Sequence, residues 1–388
     1  MNLAERIKEI SPFHVMEVLS RAKDLERQGR DIIHLEIGEP DFPAPPLVVE
    51  AALGFIRGGN VKYTPAGGLP ELRESIAEYY GRRYGVRVEP KRIFVTPGAS
   101  GGFLLSLGLL LNQGGGVALA DPGYPCYANF VRLFGGTPCL VPVDESTGFH
   151  LNAELLRSIR DDRMTGIVTA SPANPTGAMM ATDTLQALLD EVGRQALFVI
   201  SDEIYHGLEY GPSPSPTALA YSTRAFVINS FSKYFGMTGW RLGWVVVPEE
   251  YIEFAERLAQ NIFISAPTHS QVAALASFTE ENLQELERRR SIFKARRDFL
   301  CAGLKDIGFD IKARPEGAFY IYADCGEFSE DSYGFAMGLL SQAGIAVTPG
   351  RDFGVHNPER FLRFSYTVPV ARLEEALARI GRYARGAS

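Results

Sequence analysis

Short apolar runs recur along this chain, and several are rich in β-formers and continuous rather than alternating: Ile93–Val95, Val117–Ala120, Ile167–Ala170, Leu197–Ser201, Phe226–Ser230 and Gly243–Val247. A strand that is apolar on both sides must be covered on both sides, which is the situation of a mostly parallel sheet between helix layers. Helical or loop-like stretches separate most of the runs. Leu72/Ile76/Tyr79/Tyr80 and Leu185/Leu188/Leu189 are apolar at helix spacing. The expectation is an α/β chain with a mostly parallel sheet between helices. One join is too short for that rule. Between Phe226–Ser230 and Gly243–Val247 lie Gly236, Gly239 and no helix-length periodic stretch. A parallel crossover would be cramped there, so the last strand is expected to run antiparallel.

A chain of 388 residues is more than one hydrophobic core usually serves. The N-terminal part reads as a short amphipathic helix followed by the extended stretch Ile37–Pro43. From about Glu281 a long charged helix carries Leu283, Leu286, Phe293, Leu300 and Leu304 on one stripe. Strand-like Phe319–Tyr322 and Phe361–Tyr366 follow, then a helix with Leu373, Leu377 and Ile380. The expected division is residues 1–45 as an arm and part of a small domain, 46–280 as the large domain, and 281–388 as a smaller α+β domain.

Net charge of -7 argues against nucleic acid as the main partner, because a phosphate backbone is held by clustered Lys and Arg. No apolar run is long enough to span a bilayer, and the opening residues carry charges where a signal peptide would be apolar. The four cysteines (Cys126, Cys139, Cys301, Cys325) are scattered without framework spacing, which suits reduced thiols in a cytoplasm. The histidines are dispersed too, so no metal site is expected.

The chemistry concentrates in Ser230-Phe231-Ser232-Lys233-Tyr234-Phe235-Gly236-Met237-Thr238-Gly239-Trp240-Arg241. A lysine is ordinarily a solvated surface residue. This one follows directly on a strand-like run, among aromatic and small residues. Desolvation disfavours the ammonium, and a neutral amine can attack an aldehyde. Ser230 and Arg241 supply a hydroxyl and a permanent cation, both suited to a phosphate.

That segment resembles the cofactor-lysine motif of the class I/II aminotransferases, the fold-type-I pyridoxal-phosphate enzymes, and the resemblance runs over nearly the whole chain. It implies pyridoxal 5'-phosphate on Lys233, a large cofactor domain with a smaller one beside it, and exchange of an amino group between an L-amino acid and a 2-oxo acid in ping-pong order. Further stretches match. Thr96-Pro97-Gly98-Ala99-Ser100 follows a strand and opens an apolar helix, whose N–H groups suit an anion; the family holds its phosphate here, implying Ala99 and Ser100. In Asp121-Pro122-Gly123-Tyr124-Pro125, Tyr124 would stack on the cofactor ring. Ser171-Pro172-Ala173-Asn174-Pro175-Thr176-Gly177 implies Asn174 as a donor to the ring oxygen, close to the substrate.

Ser201-Asp202-Glu203-Ile204-Tyr205 ends another strand, and Asp202 and Glu203 should face opposite sides. The resemblance selects Asp202 as partner of the ring nitrogen and Tyr205 as a donor to the ring oxygen. Tyr63, in Lys62-Tyr63-Thr64-Pro65, matches a tyrosine that reaches the neighbouring subunit's phosphate, which implies a homodimer. Arg363, in Arg363-Phe364-Ser365-Tyr366, matches the arginine that grips the substrate α-carboxylate, and Gly38 fits the N-terminal substrate strip.

Two rivals share some of these residues. Gly98-Ala99-Ser100-Gly101-Gly102 is also a literal GxSxG, and Ser100, Asp202 and His269 occur in the chain order of an α/β-hydrolase. That reading lacks an upstream oxyanion segment and leaves the other motifs unexplained. A pyridoxal-phosphate lyase would use the same cofactor contacts, because cofactor binding does not decide which Cα bond breaks.

Overall fold

The computed structural model describes residues 3–10, 12–159 and 161–387. A short strand β1 (Ile33–His34) follows helix His14–Arg27. The main sheet is then built from β2 (Ile93–Thr96), β3 (Gly116–Asp121), β4 (Thr137–Pro142), β5 (Met164–Ala170), β6 (Phe198–Asp202), β7 (Phe226–Ser230) and β8 (Gly243–Val246). Its spatial order is β2-β8-β7-β6-β5-β3-β4. Only β8 runs against the rest, pairing antiparallel with both β2 and β7. The cramped connection has the expected consequence: residues 231–242 hold a single short turn of helix, Thr238–Trp240, so β8 returns beside its predecessor.

Strand β4 was not expected from the sequence. Its residues Thr-Pro-Cys-Leu-Val-Pro include two prolines, which obscure a strand pattern. It pairs only with β3 at the sheet edge, where a missing N–H costs no second ladder. Every residue of β2, β8 and β7, the three strands at one side of the sheet, is buried. Helix layers cover both sides, consistent with continuous apolar runs.

Helix Glu280–Ile307 starts on Thr279, whose hydroxyl accepts from the Asn282 N–H, and stops at Gly308 in the left-handed conformation. Its stripe Leu286, Phe293, Leu300 and Leu304 is buried. It leads to a second sheet of β9 (Tyr320–Asp324), β11 (Thr348–Pro349) and β12 (Phe361–Ser365), with β10 (Ile345–Ala346) pairing to β1. Helix His14–Arg27 buries Val18 and Ala22 against Ile32, Leu340 and Ala346 on this side.

The register of the main sheet decides where chemistry can gather. Thr96 and Ser230 both face Gly243, and Ala170 faces Asp202. The carboxyl ends of β2, β5, β6 and β7 therefore lie along one edge, together with the start of β8. Open α/β sheets bind ligands at that edge.

Candidate active site

A cavity of about 440 Å³ opens at this edge, between the main sheet and the smaller one. Lys233 stands on the turn after β7. Its Nζ donates to the Gly38 carbonyl at 2.7 Å and lies 5.7 Å from the centre of the Phe319 ring. Gly38 is packed closely, since a Cβ there would sit 1.8 Å from the Tyr320 hydroxyl oxygen. The lysine keeps some access through the cavity, yet protein surrounds it elsewhere. That desolvation is the main influence on the amine, against Glu39 and with Arg363 and Arg241, and brings its pKa down to about 8. A usable fraction is neutral near physiological pH.

Asp202 ends β6 and is buried. It accepts from the Tyr127 hydroxyl at 2.5 Å and from the Ile204 N–H at 3.0 Å. Burial pushes its carboxyl up to about 6, although both hydrogen bonds oppose the rise. Glu203 turns away, as strand alternation requires. It accepts from Ala218 N–H at 2.8 Å and from the Thr217 hydroxyl at 3.1 Å, outside the cavity.

Opposite Asp202 lies a cradle of anion-sized groups. Helix Gly98–Leu110 begins without a side-chain cap, so the N–H groups around Gly98, Ala99 and Ser100 keep no internal partner. Arg241 reaches across this helix start: a Cβ on Gly98 would meet its guanidinium at 2.7 Å. Gly98 also has φ +71, in the left-handed region that favours glycine. Among the described residues no carboxylate pairs with Arg241, which donates to the Thr238 carbonyl at 3.1 Å. Ser232 and Thr238 line the cavity beside it. Ser230 does not line it. Its hydroxyl sits behind, donating to the Leu242 carbonyl at 3.0 Å and sharing a hydrogen bond of 2.9 Å with Ser232 Oγ.

The third corner is Arg363 on β12, buried against Tyr320 and Phe353, whose ring centres lie 4.3 and 4.8 Å from its guanidinium carbon. It donates to Asn174 Oδ1 at 2.9 Å, to Thr348 Oγ1 at 3.2 Å and to the Glu36 carbonyl. Asn174 is presented by the loop after β5, closed by Ala173 N–H to Ala178 O at 3.0 Å and Gly177 N–H to Ala173 O at 2.8 Å. Tyr205 shares a hydrogen bond of 2.8 Å with Tyr320. Tyr124 stands at the cavity mouth, 37% exposed.

Lys233, Asp202, Tyr205, Ala99, Ser100, Tyr124, Asn174, Arg241, Gly38 and Arg363 thus meet in one space. Ser230 lies just outside it, and Tyr63 is away from it with 80% of its surface exposed. His269 borders a separate hollow with Gly236 and Trp240. Asp202 is engaged by Tyr127 and Ile204 instead, so the hydrolase relay has no base-to-acid link.

Sequence reasoning missed Tyr127, Ser232, Thr238 and Asp352, all of which line the cavity. Tyr127 could have been found: it lies one turn beyond Tyr124, near the start of helix Cys126–Leu133, and so faces the same strand end. Asp352 carries no sequence signal, because its role depends on contacts with residues 14 and 15.

Comparison with known proteins agrees with this geometry. Residues 30–380 match the family described as "Aminotransferase class I and II". The valine–pyruvate aminotransferase of Mycobacterium tuberculosis is 40% identical over 376 residues, 96% of each chain. The aspartate aminotransferase of Bacillus subtilis is 33% identical over 393 residues, 99% of each. Among solved structures, an aminotransferase from Mycobacterium tuberculosis superposes with a TM-score of 0.96 at 39% identity over 100% of both chains. The aspartate aminotransferase from Thermus thermophilus with maleate gives 0.93 at 33%, covering 99% of this chain and 100% of that one.

Proposed function

The chain belongs to the class I and II aminotransferases, which are pyridoxal-phosphate enzymes, and from that premise we propose how its residues divide the work. Lys233 is the cofactor lysine, and the observation that carries this is its largely desolvated amine, in a cavity with Asp202 at one end and an uncapped helix start under Arg241 at the other. The residues fit a phosphate-bearing pyridine aldehyde: a buried acid for a ring nitrogen, unpaired donors for a phosphate, an amine between them. When bound, pyridoxal phosphate supplies an aldehyde carbon and an electron-withdrawing ring.

In this reading Ala99, Ser100 and Arg241 hold the phosphate, with Ser232 and Thr238 adding hydroxyls and Ser230 bracing Ser232 from behind. Asp202 holds a proton on the ring nitrogen, and Tyr127 keeps that carboxylate aimed. Tyr124 covers the ring face, while Asn174 and Tyr205 meet its oxygen. Arg363 takes the α-carboxylate two-pronged, which orients the Cα–H bond towards Lys233. Gly38, lacking a Cβ, lets the N-terminal strip lie directly against Tyr320 beside the substrate. Lys233, once its amine is free, would take the Cα proton as general base and hand it to the carbon that the aldehyde supplied. The named relatives are a valine–pyruvate aminotransferase and an aspartate aminotransferase, so the amino donor differs between them.

A homodimer and a cytoplasmic setting are part of the same proposal. Tyr63 is exposed and free to reach a second copy, and all four cysteines are free thiols. No helix of the described residues is long and apolar enough to cross a membrane. The division at residues 45/46 and 280/281 is likewise proposed.

The test is spectroscopic. Purified protein supplied with pyridoxal phosphate should gain a visible absorption band that hydroxylamine abolishes and that Lys233→Ala lacks. An identical band in Lys233→Ala would reject the lysine's role. Labelling of Ser100 by a serine-reactive phosphonate in colourless protein would favour the hydrolase.

A further inference from the structure

We propose that Asp121, the last residue of β3, is a positioning residue for the substrate carboxylate: it clasps the loop that holds Phe353 against Arg363. The inference deepens the reading above and rests on it, because it takes Arg363 as the group that binds the α-carboxylate.

In the turn at residues 121–125, Tyr124 covers the ring in that reading and Asp121 has no part in it. Asp121 is 1% exposed, and among the described residues no cation pairs with it. A carboxylate so placed loses water without gaining a counter-charge, which is costly unless hydrogen bonds compensate. Here they come from the backbone. Asp121 Oδ2 accepts from the Val355 N–H at 3.0 Å and from the His356 N–H at 3.2 Å. Beside it, the Gly123 N–H donates to the Phe353 carbonyl at 2.8 Å.

Three hydrogen bonds thus run from the end of a main-sheet strand to residues 353–356. Those residues follow β11 of the smaller sheet and belong to no helix or strand themselves. Every group in the clasp lies in one chain. The fit is close as well, since a Cβ on Gly354 would stand 1.6 Å from Asp121 Oδ1. That oxygen is buried without a partner, so the carboxylate has no second task.

What the clasp holds is part of the carboxylate clamp. The Arg363 guanidinium packs over two rings, Tyr320 at 4.3 Å and Phe353 at 4.8 Å. Rings against a guanidinium restrict its plane, and the plane decides whether two of its N–H groups can meet one carboxylate. Tyr320 is fixed by β9 and by its bond to Tyr205. Phe353 is 5% exposed but sits on the irregular loop, with an edge-on contact to Tyr322 at 6.0 Å. Without the Asp121 carboxylate the loop loses two of its three bonds to the main sheet. Phe353 then gains room to leave the guanidinium.

The test uses the holoenzyme and steady-state kinetics with the best donor among alanine, valine, aspartate and glutamate. Asp121→Ala should raise KM for that donor by about tenfold and change kcat by less than about threefold. Pyridoxal-phosphate affinity, read from the visible band, should stay within about threefold of the parent. Gly354→Ala pushes the loop off from the other side and should reproduce the KM rise, even if Asp121→Ala does not fold. Asp121→Asn, whose amide oxygen can take the place of Oδ2, should bring KM back to within about threefold of the parent. Cofactor affinity falling in step with KM would mean a merely structural tie and would overturn the inference, as would a parent-like KM in Gly354→Ala. In a Phe353→Leu background Gly354→Ala should add no more than about twofold, because the route to Arg363 is already broken; a full tenfold there would show that the clasp does not act through Phe353. Arg363→Lys tests the underlying reading separately, and should raise KM by about 100-fold. A parent-like KM in that variant would reject the carboxylate role of Arg363, and the clasp with it, whereas a raised one beside an unchanged Gly354→Ala would reject the clasp alone.

Discussion

Replacing Gly38 by alanine should cost far more activity than one methyl group suggests. Its added Cβ would start 1.8 Å from the Tyr320 hydroxyl oxygen and 2.8 Å from the ring carbon that bears it. Real Cβ atoms essentially never approach closer than 3.0 Å, so the two segments must part by at least about 1.2 Å. Tyr320 borders the cavity on one side but is held on the others. It is 1% exposed, hydrogen-bonded to Tyr205 at 2.8 Å and lies under the Arg363 guanidinium. Displacement passes to both the proposed ring-oxygen contact and the proposed carboxylate clamp, and the Gly38 carbonyl that holds Lys233 shifts too. A misplacement near 1 Å costs roughly 100-fold in rate, so Gly38→Ala should lose about that in kcat/KM while its far-UV circular dichroism stays native. In a Tyr320→Phe background the nearest obstructing atom is gone, and the same substitution should cost only about tenfold. Activity of Gly38→Ala within threefold of the parent, or an undiminished cost in Tyr320→Phe, would refute the reasoning.

Other expectations concern charge and order of events. Lys233→Met should stabilise the apoprotein at pH 7 by about 3 kcal/mol at most, less where the open cavity screens the amine. The unfolded lysine, near its ordinary 10.5, binds a proton more tightly than the folded one at about 8. Wild-type stability should therefore rise with pH across that interval and the variant's advantage should disappear by its upper end; urea unfolding at both ends checks this, and a constant gap would contradict it. Tyr127→Phe removes a donor from Asp202 and should move the carboxyl, already raised by burial, further upward by roughly one pH unit in the apoprotein, as carbon NMR of labelled aspartates can follow. Arg241→Ala should weaken pyridoxal-phosphate binding by about 100-fold and leave pyridoxal without its phosphate almost unaffected; equal losses for both would remove the phosphate role. Initial-rate plots at several keto-acid concentrations should be parallel, and intersecting lines would exclude the two-stage exchange.

Local chemistry was sufficient for much of this protein. Continuous apolar strands require cover on both faces, and a glycine-containing join with no helix-length stretch forces β8 to turn back; both follow from residues near in sequence. The motif turns were read through their resemblance to a known family, and the sheet explains why they gather: Lys233, Asp202, Asn174 and Ala99 each sit at or just beyond a strand end, and a parallel sheet brings those ends together. Strand β4 was hidden because its two prolines erase the usual pattern, and only an edge position beside β3 makes them tolerable. What tertiary structure alone decided involves partners far apart in the chain. The approach of Gly38 to Tyr320, the hydroxyl of Tyr127 on Asp202, and the capping of residues 14 and 15 by Asp352 arise from docking the smaller sheet and the N-terminal helix over the main sheet's edge, and from helix packing along it. No periodicity encodes such contacts, since each exists only once the two surfaces have met.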